Sequence, residues 1–165
     1  MDFKRFIFTA ERIASFDGNV SNDAQITNES FSVGNVYLGQ NFKEVIAMYG
    51  LPLKESPAAG TGSIFSFGKN GKIFDVRVSK QSSVEGIRIE GDSGIKTVDG
   101  IGINSSLKDV YITYGKPDKE RFNYNNNYLA IYSIQPSPNS VWELSFETKS
   151  NLVVAILIND YPCYG

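Results

Sequence analysis

The segment Leu38–Pro52 (LGQNFKEVIAMYGLP) returns, residue class for residue class, as Ile103–Pro117 (INSSLKDVYITYGKP). A constant offset relates the two, so the chain reads as a tandem duplication, and only folds that can be built twice fit it. Each copy spells one short helix. In the first, Asn41 stands where a cap is needed and Glu44 follows three residues on, a capping-box spacing in which each side chain satisfies a backbone donor. Phe42, Val45, Ile46 and Tyr49 then recur at helical spacing and form one apolar stripe. Gly50 supplies a left-handed stop and Pro52 bars resumption. The second copy repeats the scheme with Ser106, Asp109, the stripe Leu107, Val110, Tyr111 and Tyr114, then Gly115 and Pro117. Two turns of helix do not hold alone, because nucleation costs more than they return. Both helices need a sheet to pack on.

Strands follow each helix. Residues 63–68 and 73–79 flank Lys69-Asn70-Gly71-Lys72, and Asn-Gly between alternating apolar runs is a strong hairpin signal. Phe74, Val76 and Val78 share a face, which Ile87 and Ile89 continue in the strand 84–90. The matching strands of the second copy are 128–135, 141–147 and 152–159, with Trp142, Leu144 and Phe146 inward. The expected fold is therefore α+β: two tandem repeats, each a short helix on a three- to four-stranded antiparallel sheet. Residues 1–32 form an N-terminal extension or linker, 33–96 the first repeat and 97–165 the second. Within the extension, Phe6, Phe8 and Ala10 alternate with Ile7 and Thr9, and Asp17-Gly18 suits a turn, so a strand or hairpin is expected there.

A chain of 165 residues with 41% apolar and 13% aromatic content has enough material for a core. Its formal net charge of −2 leaves no electrostatic footprint for nucleic acid or an anionic membrane. The longest apolar run, Leu152–Ile158, is far short of the roughly 20 residues a spanning helix needs, so no membrane-spanning segment is expected. The apolar stretch Phe6-Ile7-Phe8 is too short for a signal peptide; the protein stays inside, or an export signal was removed.

Histidine is absent, which removes the usual general base near neutral pH and the commonest metal ligand. A single cysteine, Cys163, allows neither an intrachain disulfide nor a cysteine-rich metal site. No carboxylate spacing brings an acid–base pair into a pocket, and no glycine-rich loop opens a helix to cradle phosphate. The expectation is no catalytic residue, no cofactor and no metal.

A helix closed by Tyr-Gly-x-Pro and followed by three antiparallel strands, twice over, resembles the β-lactamase inhibitory protein family. The unit is also similar to the small lipoprotein of the outer-membrane assembly machinery. The resemblance rests on Gly39, Val45, Tyr49, Gly50 and Pro52, and on Val110, Tyr114, Gly115 and Pro117. It implies a non-enzymatic, inhibitor-like protein-binding module, exported or in the cell envelope, with another protein as partner. A structural part in envelope assembly is the second reading and an enzyme the third.

Candidate contact residues lie where the copies differ. Phe122-Asn123-Tyr124-Asn125-Asn126-Asn127-Tyr128 sets aromatics among small amides, combining rigid contact area with adaptable hydrogen bonding. Phe122, Tyr124, Tyr128 and Tyr132 are the expected binding residues, with a polar hairpin carrying packed tyrosines as the alternative.

Overall fold

A computed structural model describes residues 26–60, 62–69 and 72–163. The strand or hairpin expected around Phe6–Gly18, and the turn residues Asn70 and Gly71, lie outside the described residues. The first described element is a 3-10 turn, Asn28–Ser30, and β1 (Ser32–Val33) and β2 (Val36–Tyr37) follow as a small hairpin. Gly34 and Asn35 between them both take positive φ (59° and 65°), the backbone that suits a two-residue hairpin loop. Helix α1 spans Phe42–Tyr49, followed by β3 (Lys54–Pro57), β4 (Ser63–Lys69), β5 (Lys72–Val78) and β6 (Val84–Glu90). Helix α2 spans Leu107–Tyr114, followed by β7 (Lys119–Phe122), β8 (Tyr128–Ser137), β9 (Ser140–Lys149) and β10 (Leu152–Pro162).

The strands correct the expected architecture. Eight of them, in the order β3-β4-β5-β6-β10-β9-β8-β7, form one continuous antiparallel sheet, with β1-β2 as a separate two-stranded sheet. Among the described residues the protein is mostly β and carries two eight-residue α-helices, so it is not a pair of helix-on-sheet repeats. The reason lies at the seam. Each run of hairpins ends in a long apolar strand, β6 or β10, whose outer backbone groups would otherwise go unpaired beside a core. They pair with each other, from Ala155 opposite Glu90 to Asn159 opposite Gly86.

Both helices lie on one face of this sheet. Phe42 meets Phe65 at 4.3 Å between ring centroids, Tyr49 meets Phe74 at 4.8 Å, and Tyr114 meets Phe146 at 5.3 Å. Side chains alternate across a strand, so Phe67, Phe74, Val76, Ile87, Ile89, Leu144, Phe146, Ile156 and Ile158 all bury toward the helices. Burial is uneven between the helices. Leu107, Val110, Tyr111 and Tyr114 of α2 are all buried, whereas in α1 only Val45 is.

The helix starts are tied to hairpin turns. Phe42 N donates to Ser82 O at 2.9 Å, and Leu107 N donates to Asn151 O at 2.8 Å. Ser106 caps α2 by accepting from Asp109 N at 3.0 Å, as the capping-box spacing suggests. Asn41 accepts from Lys43 N instead, and the Glu44 carboxylate accepts from the Tyr37 hydroxyl at 3.4 Å. The segment between β6 and α2 is stitched in by a Val33–Thr97 bridge and by the Tyr114 hydroxyl, which donates to Thr97 Oγ1 at 2.8 Å.

Candidate functional site

The loop joining β7 to β8 is built by amides. Asn123 Oδ1 accepts from the backbone N–H groups of Asn125 and Asn127, both at 3.0 Å, which closes the turn around one side chain. Asn123 N donates to Asn127 O at 3.0 Å across its base, and Asn126 takes the positive φ of 62° that asparagine tolerates. Beneath, Glu147 of β9 accepts from Asn123 Nδ2 and Asn127 Nδ2, each at 2.8 Å on the same oxygen. Glu147 is only 9% exposed, and donation from two amides satisfies a carboxylate that would otherwise be costly to cover. A five-residue loop thus has two points of attachment.

The four expected binding residues divide sharply. Tyr124 stands at the tip of this loop and is 95% exposed. Phe122 is half-buried and lies edge-on to Tyr128 at 5.7 Å. Tyr128 and Tyr132 are buried in the layer between helix and sheet. The Tyr128 hydroxyl sits 2.6 Å from that of Tyr111 and donates to Glu120, while the Tyr132 hydroxyl donates to Gly115 O at 2.7 Å. Burial pushes both hydroxyls well above the usual tyrosine range, and the neighbouring Tyr111 adds to it. They stay protonated donors inside the core. Of the four, the loop presents Tyr124 alone to solvent.

The face of the sheet away from the helices carries a polar row. Arg77, Gly86, Asn159, Glu143 and Ser133 are successive cross-strand partners from β5 to β8. The Arg77 guanidinium spans the seam, donating from Nη2 to Glu85 O at 3.1 Å and Asp160 O at 3.4 Å. Gly86 leaves room for it: a Cβ there would stand 2.9 Å from Asn159 Oδ1 and 3.2 Å from Arg77 Nε. A polar depression of about 460 Å³ opens beside it, edged by Ser140, Asp160 and Tyr161. At the far edge Lys119 pairs with Glu143 at 3.7 Å. Among the described residues no group of three or more potential metal-ligating side chains comes together, and no helix is long and apolar enough to cross a membrane.

Sequence reasoning missed Glu147, because its amide partners Asn123 and Asn127 lie 24 and 20 positions away along the chain. It also missed the β1–β2 hairpin, whose Gly34-Asn35 pair between Val33 and Val36 was the available signal.

No protein-family model matches the chain, and no curated protein does. Solved structures align with it at low identity. An extracellular protein containing a SCP domain from Bacillus anthracis aligns at TM-score 0.54 and 16% identity, over 85% of this chain and 49% of that one. A cysteine-rich secretory protein from Staphylococcus aureus aligns at TM-score 0.50 and 11% identity, over 74% of this chain and 42% of that one. A DUF4309 family protein from Bacillus subtilis aligns at TM-score 0.46 and 12% identity, over 92% of this chain and 97% of that one. The chain therefore spans about half the length, or less, of the two secretory-type proteins it matches.

Proposed function

We propose that the chain is a non-enzymatic, exported protein-binding module that uses the β7–β8 loop as its anchor. The observation that carries this reading is Tyr124, 95% exposed on a loop whose base is bonded twice to Glu147. An exposed tyrosine on a pre-ordered loop loses little conformational entropy on contact, and tyrosine is enriched among residues that dominate binding energy. The small amides around it supply hydrogen bonds that adapt to a partner. The likeness of the Tyr-Gly-x-Pro motif to inhibitory proteins points the same way, as do the extracellular and secretory descriptions of the proteins with similar structures. The continuous sheet face beyond Glu143 offers area for a partner already engaged at the loop.

The test is affinity capture from the native envelope and culture medium with the intact chain and with Tyr124→Ala. The expected result is a partner recovered by the intact chain and reduced at least tenfold with the variant. Equal recovery by both removes the loop from the interface. Tyr128→Ala is unsuitable as a control, because that ring belongs to the core.

A further inference from the structure

At the other end of β9 from the Tyr124 loop, a second, unrelated pocket is formed. Its walls come from four places: the 3-10 turn and Phe31, the β1–β2 hairpin, Val98 in the segment before α2, and Trp142 of β9. The cavity holds about 420 Å³, within the range of sites that enclose a ligand group. Three aromatic residues line it. Phe31, fully buried, lies with its centroid 5.6 Å from that of Trp142, and Tyr37 stands 46% exposed on the rim opposite Ser32. Val98, 62% exposed, closes another side.

Beside the neutral Asn28 and Ser32, the formal charge on this pocket's lining is negative. Glu29 is its charged lining residue, and no lysine or arginine lines it among the described residues. The Thr27 hydroxyl donates to Glu29 Oε2 at 2.8 Å, which holds that carboxyl below the usual glutamate range and keeps it charged. The Tyr37 hydroxyl donates to the Glu44 carboxylate at 3.4 Å, so a second carboxylate stands beside the rim. Lys96, in the same segment as Val98, lies over Gly102, where a Cβ would meet its Cγ at 3.0 Å. Aromatic faces attract cations through their quadrupoles, most strongly for tryptophan, and a carboxylate at the mouth adds a charged partner.

We propose that the pocket walled by Tyr37 and Trp142, with buried Phe31 behind Trp142, receives a basic side chain, lysine or arginine, from a partner polypeptide, with its apolar stem against Tyr37 and Trp142 and its cationic head toward Glu29. That the side chain comes from a polypeptide rests on the protein-binding reading above; the preference for a cation with an apolar stem rests on the pocket alone.

Trp142 is the chain's single tryptophan, so its indole gives one amide-type cross-peak and one fluorescence signal. The intact chain, Glu29→Gln and Tyr124→Ala are titrated with the N-acetyl, N-methylamide derivatives of lysine, arginine and norleucine. The first two carry a cation on an apolar stem, and norleucine has the stem alone. The expected result is a saturable shift of the Trp142 signal with the lysine or arginine probe, at least threefold tighter than with norleucine. Glu29→Gln is expected to remove that preference while leaving norleucine unchanged. Tyr124→Ala is expected to bind all three like the intact chain, so loss of partner capture and loss of pocket binding are separable. Norleucine binding as tightly as the cations, no saturable response to any probe, or an unaltered preference in Glu29→Gln would each overturn the proposal.

Discussion

Asn123 and Glu147 meet across the base of the β7–β8 loop, with Nδ2 of the amide 2.8 Å from an Oε1 that Asn127 also engages at 2.8 Å. One carboxylate oxygen therefore sets the position of both ends of the turn that carries Tyr124. Glu147→Ala removes two charge-assisted bonds and leaves two amides facing a half-buried space. Its expected cost is about 1–3 kcal/mol in urea denaturation. Glu147→Gln keeps an acceptor oxygen and should lose less. Hydrogen exchange at Asn125 and Asn127 should quicken in the alanine variant, and unchanged protection there would show that the loop holds without Glu147.

Tyr124→Ala is expected to leave stability within about 0.5 kcal/mol of the parent, because substitutions of exposed residues away from caps and networks rarely do more. Tyr132→Ala is expected to cost about 3–5 kcal/mol, the range for deleting a buried aromatic. Both are read from the midpoint of chemical unfolding. A destabilised Tyr124→Ala would mean that the ring packs in solution and would undercut its role as an exposed anchor.

The helices were legible because cap, stripe and stop are local: Ser106 and Gly115 bracket α2 at the residues their chemistry marks. The inward faces were legible too, since a period of two assigns Phe74, Val76 and Val78 to one side without reference to a partner. The neighbour of a strand is not written in that period. Nothing in Val84–Glu90 or Leu152–Pro162 names the other as its pair, so strand periodicity alone does not give the single eight-stranded sheet. The edge strands were faint for a different reason. Lys54-Glu55-Ser56-Pro57 has no apolar alternation because little of it is covered, and a lysine and a proline on an edge discourage further pairing. In the candidate site, aromatic–amide composition marked the loop, but alternation along β8 places Tyr128, Ala130 and Tyr132 together on the inward face.

Alkaline pH should destabilise the protein sharply. Burial raises the hydroxyls of Tyr111, Tyr114, Tyr128 and Tyr132 above the tyrosine range, so the folded chain keeps protons that the unfolded chain releases near pH 10. Stability is thus intact below about pH 10 and falls as pH rises beyond it, by about 1.4 kcal/mol per pH unit for each tyrosine still protonated. Urea denaturation at pH 8, 9, 10 and 11 should show a plateau and then a steep loss. Absorbance of ionised tyrosine should rise in two stages, the second coinciding with unfolding. A stability profile flat to pH 11 would contradict the buried hydroxyl network.

Each helix stops at a glycine in an unusual backbone conformation. Gly50 sits at φ 79°, ψ −167° and Gly115 at φ 80°, ψ −160°, a region essentially closed to residues with a Cβ. The two positions differ in surroundings. A Cβ on exposed Gly50 would meet nothing within 4 Å, so Gly50→Ala isolates the backbone strain. Its expected cost is about 1–3 kcal/mol with no change of core packing. Gly115 is buried, and its carbonyl accepts the Tyr132 hydroxyl, so Gly115→Ala adds displacement of that bond to the same strain and should cost more. Equal losses at the two sites would mean that the Tyr132 bond adapts to the substitution. No loss at Gly50 would mean that the α1 terminus relaxes to another conformation, as its half-buried stripe would permit more readily than that of α2.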